Sequence, residues 1–566
     1  MSLTTKAFFH FRRSLSGVGI ALGTLFFAAA LTPSLVPRTY VMQGILGGVA
    51  FGSGYGIGVL WRWLWHYLEL PEPQDRLRSR ANLAVGVVCL AVAVVALYFA
   101  ASWQNSVRAV MDMEPVPSAY PMSVSALAVL TFLILLVLVR LLIRLGRFVS
   151  GKVQLVMPRR VANVLGVTIT VILVWTIANG LLIQSAFRVL DRSFREYDAL
   201  IEPDRPQPTA PGKTGSAASL LHWNELGRAG REFVSSGPAA SDITAMTGER
   251  AIDPPIRVYA GLQVADTPEQ RAELALEELK RQRGFDRSVL VVITPTGTGW
   301  VDPAAMDGLE FLHHGDVASV AVQYSYLSSP LSLLFQPEYG AEASRALFIA
   351  VYNYWKNLPR DSRPRLYLYG LSLGAMNSEI SSELFEMLDD PINGALWSGP
   401  PFPSRDWKAM TRRRNPGTPE WLPVFRDGSF ARFMNQYGEA PGNGTRWGGP
   451  MRVVYLQYAS DPVTFFDTLS FYRQPDWMQA PRGPDVSPDL RWYPVVTMLQ
   501  LALDMAFGTA TPIGHGHVYA PEHYVDAWLE VTGVTGWDAH NIARLKQYLR
   551  QKMDGTNIEG YEQRGG

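Results

Sequence analysis

Glycines two positions to either side of Ser372, in Gly370-Leu-Ser-Leu-Gly374, leave room for a sharp turn beneath a single hydroxyl. The residues ahead, Arg365 to Tyr369, alternate as a strand does, and those after read as a helix. A serine on such a strand-to-helix turn is lifted clear of the backbone, above a helix N-terminus, as a nucleophile needs to be. Ordinary Gly-rich turns produce the same five-residue pattern, so the role of Ser372 depends on a base, an acid and an oxyanion site elsewhere.

The acid belongs after the serine and before the histidine in this kind of site. Asp461 follows the strand-like run Met451–Tyr458, where a strand edge opens into a loop, with Asp467 as the reserve candidate. A turn-initiating Asp before Pro462 is the plain alternative. Of the nine histidines, His515 and His517 lie past the acid, in Gly514-His-Gly-His-Val-Tyr519, ahead of a C-terminal helix. Either can serve as the base, and His517 is favoured because it is nearer the helix start. No carboxylate cluster stands beside them to complete a metal site, so no metal and no cofactor is expected. His313 and His314 precede a strand and read as surface residues. The oxyanion site combines the Leu373 N–H with the loop Thr296-Gly297-Thr298-Gly299, which follows the strand ending at Thr294.

Of 566 residues, 48% are hydrophobic and only 18% charged, and the net charge of +1 offers a nucleic acid no attraction. The single cysteine, Cys89, excludes a disulfide framework and a zinc cluster. Apolar runs at 15–36, 41–61, 82–102, 122–143 and 161–184 each approach the length needed to cross a bilayer. The first has the flanks of a signal peptide, yet four further spans favour an uncleaved helix. Basic residues alternate between loops: Lys6, Arg12 and Arg13, then Arg62, Arg76, Arg78 and Arg80, then Arg140, Arg144, Arg147, Lys152, Arg159 and Arg160. The intervening loops hold only Arg38 and Arg108. Five spans with a cytoplasmic N-terminus follow, leaving the rest of the chain outside the cytoplasm. Gly44, Gly48, Gly52 and Gly56 form a ridge on the second span, suited to close helix packing or to a lipid-tail groove.

These features divide the chain into a transmembrane helical domain, 1–187, a polar linker, 188–215, and a catalytic domain, 216–566. Gly212-Lys-Thr214 is not a phosphate loop, since Gln207 stands where that motif needs glycine, and Asn443-Gly-Thr445 is a sequon by pattern only. Beyond residue 216, strands near 256–262, 288–294, 317–326, 366–369, 394–397 and 451–458 alternate with helices near 267–283 and 340–357. This order predicts an α/β fold, a mostly parallel sheet with helices on both faces. Residues 399–450 read as a cap or lid excursion, and 492–507 as a helix.

The globular part resembles the α/β-hydrolases. The whole chain resembles a bacterial family of membrane-anchored α/β-hydrolases, through Pro295-Thr-Gly-Thr-Gly-Trp300, Gln323-Tyr-Ser-Tyr326, Gly370-Leu-Ser-Leu-Gly374, Trp397-Ser-Gly-Pro-Pro401 and Gly514-His-Gly-His517. That resemblance implies a serine hydrolase of the bacterial cell membrane, with Ser372, Asp461 and His517 or His515 as a triad. Tethering to the bilayer suggests lipid or lipid-linked acyl esters. An acyltransferase with the same triad, and a catalytically dead membrane scaffold or transport component, are the alternatives.

Overall fold

The computed structural model describes residues 15–71, 75–177, 179–180, 184–249, 253–382, 389–439 and 446–564. Lys6, Arg12, Arg13, the Asn443-Gly-Thr445 sequon and part of the expected fifth span lie outside them. The chain forms two compact units, Met1–Phe187 with Phe466–Thr511, and Arg188–Phe465 with Pro512–Gly566.

The first unit is helical: α1 Gly17–Ala30, α2 Tyr40–Tyr67, α3 Asp75–Ala109, α4 Pro121–Val153 and α5 Arg159–Thr176. Four of these, α2 to α5, are long and apolar enough to cross a membrane. The expected first span is shorter, because α1 has 14 residues and so rises about 21 Å. Pro33 and Pro37 stop it early, since neither offers an N–H to continue the helix. The glycine ridge of α2 works mainly in packing: a Cβ at Gly44 would meet Leu127 Cβ at 2.6 Å, and one at Gly48 would meet the Ala128 carbonyl at 2.6 Å. At Gly56 the same position faces open space.

Residues 466–511 were expected in the catalytic domain but pack with these helices. Their one long helix, Val496–Ala506, shares a core with Ala30, Leu46 and Ala50. Asp504 is fully buried there, 3.1 Å from Arg38 Nε, and its other oxygen accepts from Leu35 N at 3.0 Å. Gln500 Nε2 donates to the Thr32 carbonyl at 3.1 Å. Arg38, counted above as an open loop charge, is therefore a buried, paired one. An apolar run of this length reads alike as a domain-core helix or a membrane-packed one, so the partner was hidden in the sequence.

The second unit is built on strands β1 Ile256–Ala260, β2 Val289–Thr294, β3 Val317–Val322, β4 Arg365–Leu371, β5 Gly394–Ser398, β6 Ala431–Asn435, β7 Gly438–Glu439 and β8 Arg452–Leu456. They join in the order β1-β3-β2-β4-β5-β8-β6-β7, parallel throughout except for β6 with β7. Val289–Thr294 and Val317–Val322 are buried along their whole length, as strands covered on both faces must be. The expected cap contributes a strand instead of only covering the sheet: β6 lies beside β8. Arg432 concealed that strand by interrupting its apolar run. Its guanidinium is buried against Glu530 Oε1 at 2.6 Å and over the Trp447 ring at 4.4 Å.

The expected linker is docked on this unit. A helix, Gln184–Ala199, leads into residues 198–202, where the buried Arg231 donates to Glu202 Oε2 at 3.0 Å and to the Asp198 and Leu200 carbonyls. His313, expected on the surface, is buried, and burial pushes its imidazole down to about 3.

Removing one member of a buried ion pair strands the other charge, at a cost of about 3–5 kcal/mol. Arg38→Met alone should sharply lower the thermal midpoint of the detergent-solubilised protein. Adding Asp504→Leu should recover most of that loss. Simple additivity of the two losses would show that the pair is not what secures the 496–506 helix.

Candidate active site

The turn after β4 has the geometry the glycine spacing demands. Ser372 sits at φ 57° and ψ −126°, a strained conformation for a residue with a side chain. A Cβ at Gly370 would lie 2.4 Å from the Gly374 backbone, and one at Gly374 would lie 2.2 Å from the Thr294 carbonyl. The two glycines thus let the turn fold on itself and press against the end of β2. Ser372 N donates to the Ser398 carbonyl at 2.9 Å, fixing the turn to the end of β5. The serine begins the helix Leu373–Ser381, whose first N–H groups have no acceptor within the helix.

Asp461 is fully buried at the end of β8 and caps the short helix Pro462–Phe465. One carboxylate oxygen accepts from Val463 N at 2.8 Å and from Thr464 N at 3.4 Å. The other accepts from Thr464 Oγ1 at 3.2 Å, Tyr519 OH at 2.8 Å and the His517 ring. His517 Nδ1 is 2.7 Å from Asp461 Oδ2. With Nδ1–H donating to the carboxylate, Nε2 of a neutral ring carries the lone pair, which a general base requires. That Nε2 is buried and has no hydrogen-bond partner among the described residues.

Asp461 holds the His517 ring, whereas the His515 carbonyl accepts from Val518 N within the loop. Gly516 N donates to Ser460 Oγ at 2.8 Å, so the histidine loop is fastened to the same strand end as the acid. A Cβ at Gly399 would lie 2.7 Å from His517 Cε1. Gly399 directly follows the Ser398 carbonyl that receives Ser372 N, so the serine turn and the imidazole share one neighbourhood. Asp467, the reserve acid, instead caps the Thr468–Phe471 turn through Leu469 N.

In the loop after β2, three of the four N–H groups are already engaged. Thr296 N donates to the Trp300 carbonyl at 3.0 Å, Gly297 N to Ser329 Oγ at 3.1 Å, and Gly299 N to the Thr296 carbonyl at 2.9 Å. Thr298, half-buried, is held through its carbonyl by Gln323 Nε2 at 3.3 Å. Within the loop, the Thr298 N–H is thus the one left without an acceptor among the described residues.

Several groups around the site were not singled out in the sequence. Tyr519 supports Asp461 and stacks on Tyr458, their ring centres 4.4 Å apart. Its signal was its place two residues after His517. Asp302 is buried, accepts from Tyr524 OH at 3.0 Å and from Ala304 N, and burial pushes its carboxyl up to about 7. Glu379, on the serine helix, accepts from Trp407 N at 2.8 Å and from Tyr455 OH at 3.3 Å, tying the helix Arg405–Arg412 of the expected cap to the nucleophile helix. Burial pushes the Glu379 carboxyl up to about 7 as well. Among the described residues, no group of three or more His, Cys, Asp and Glu side chains is placed to hold a metal.

Residues 256–545 match the model of an alpha/beta-hydrolase family, and residues 31–238 match the model of an alpha/beta-hydrolase family N-terminus. No curated protein and no solved structure matches the chain.

Because the Glu379 pKa is higher in the folded chain than in the unfolded one, folding takes up a proton between the two values. Stability should then be full below about pH 4.5 and decline as pH rises to about 7, by at most about 3 kcal/mol. Glu379→Gln should flatten that part of the curve in thermal melts across pH 4–8. An unchanged slope in the variant would assign the pH dependence to other groups.

Proposed function

The chain belongs to an alpha/beta-hydrolase family with an N-terminal helical region, and on that footing we propose a membrane-embedded serine hydrolase that cleaves acyl esters of lipids or lipid-linked molecules. The observation that carries this is the His517–Asp461 hydrogen bond of 2.7 Å, beside a serine held at φ 57°.

Ser372 Oγ attacks the ester carbonyl while His517 Nε2 takes its proton. Asp461 keeps the imidazole in the required tautomer and stabilises the imidazolium. Its other oxygen is already held by backbone N–H groups, so it stays in place as charge develops opposite it. Leu373 N–H and Thr298 stabilise the tetrahedral oxyanion. His517 then returns its proton to the leaving alkoxide. Water, activated by the same imidazole, releases the acyl group from Ser372 in the second half.

Location supports a lipid substrate, since an enzyme tethered by α2 to α5 meets bilayer esters at high local concentration. The α2–α3 and α4–α5 turns and the adjoining helix ends carry Arg76, Arg78, Arg80, Arg140, Arg144, Arg147, Lys152, Arg159 and Arg160. At the opposite ends of these helices, Arg38 is paired with Asp504 and Arg108 Nε donates to the Glu114 carbonyl. By the bias of basic loops toward the cytoplasm, α5 delivers the catalytic unit to the other side.

A fluorophosphonate probe should label the detergent-solubilised protein at Ser372 and leave Ser372→Ala unlabelled. His517→Ala and Asp461→Asn should lower the rate of ester hydrolysis by about 10⁴-fold, whereas His515→Ala should cost less than about tenfold. A His515→Ala loss as deep as that of His517→Ala would reverse the assignment of the base. Absence of labelling in folded wild-type protein would end the serine-hydrolase proposal.

A further inference from the structure

Residues 466–511 carry an outward apolar surface at a depth that their packing fixes. Val496 shares its core with Leu46 and Ala50, six and ten residues into α2 from Tyr40, or about 9–15 Å along the helix axis. Val495 N donates to the Phe471 carbonyl at 2.7 Å, and Trp492 Nε1 to the Ser470 carbonyl at 2.8 Å. The turn Leu469–Tyr472 is thereby held at the level of Val496. At the other end of the same helix, Asp504 joins Leu35 and Arg38 in the loop ahead of α2. The excursion therefore runs from the end of α2 inward along its side, turns, and comes back.

At the inward turn, Leu469, Phe471 and Tyr472 are 38%, 47% and 58% exposed. Val41 and Ile45, near the start of α2, are exposed as well, at 40% and 44%. Val495 holds φ 65°, a conformation a β-branched residue adopts only when its surroundings impose it. Arg473 is paired with Asp476 at 3.6 Å, and its long stem lets the charge reach toward the headgroups.

We propose that 466–511 is a re-entrant wedge whose Leu469, Phe471 and Tyr472 lie among the acyl chains of the bilayer. The inference rests on the membrane placement of α2 to α5 proposed above. It adds a lipid-contacting element in the segment that joins Asp461 to His517, separate from the spans.

The test uses the full chain, with Cys89→Ser, reconstituted in phosphatidylcholine vesicles that contain lipids spin-labelled on the acyl chain. An environment-sensitive fluorophore is attached at Phe471→Cys or Tyr472→Cys, at Leu90→Cys on α3 (67% exposed) and at Tyr437→Cys in the β6–β7 turn (78% exposed). Acyl-chain quenching at positions 471 and 472 should match that at 90 and exceed that at 437 by at least about threefold. Aqueous iodide should give the reverse order. If 471 and 472 behave like 437 while 90 is quenched, the wedge is wrong and the membrane placement stands. If 90 also escapes quenching, the membrane placement fails and takes the wedge with it.

Discussion

The buried carboxylate of Asp461 is the group on which the strand-end, helix-start and histidine-loop contacts of the α/β unit converge. A charge removed from water is tolerable only when its lone pairs are filled, and here they are filled by Val463, Thr464, Tyr519 and His517. Each of those bonds also performs a structural task. Val463 and Thr464 start the helix after β8, Tyr519 closes the far side, and His517 is turned so that Nε2 is left as the acceptor. The serine needs no such partner to be placed. Its position comes from backbone sterics at Gly370 and Gly374, with the β2 end packed beneath. Asp461 and His517 are thus set by electrostatics, and Ser372 by close packing, and the two meet at Ser398–Gly399.

Much of this was legible before any coordinates, for reasons that differ from residue to residue. The serine turn is dictated by hard-sphere contacts within five residues, so the pattern around Ser372 carries it complete. Strands buried on both faces are mostly apolar runs, and those at 256, 289, 317, 365, 394 and 452 stand out for that reason, Arg257 and Ser319 notwithstanding. Asp461 stands out in the sequence because strand ends in a parallel sheet open at one edge, and the structure brings it to His517. The sequence favours His517 over His515 only by its place nearer the helix start, because the contact that sets it apart is a hydrogen bond to a residue 56 positions away.

The features that were missed share one cause: a charged or polar residue whose partner is remote in sequence. Arg432 looks like the end of a strand until Glu530 and Trp447 are brought to it, and then β6 becomes an ordinary interior strand. Arg38 looks like a loop cation until Asp504, 466 residues away, neutralises it. In each case local propensity was overridden by a long-range contact that no window of neighbouring residues contains. The same limit hid the membrane partner of residues 496–506, which are apolar enough for either unit.

The segment 466–511 is inserted between Asp461 and His517, and the residues at its neck are held to each other directly. Ser460 Oγ accepts from Gly516 N at 2.8 Å, and Asp461 Oδ2 meets His517 Nδ1 at 2.7 Å, so adjacent residues on either side are pinned to each other directly. Tyr458 adds a third tie, its hydroxyl accepting from Ala520 N at 3.0 Å. Once these bonds are made, the cost of closing a long loop has been met locally and depends only weakly on its length. Asp461 and His517 then keep their geometry from contacts within the α/β unit, and the excursion is shaped by the long apolar helices it packs against. A buried hydrogen-bonded pair of this kind is electrostatically stronger than one in water, so it holds against the long insertion between its members.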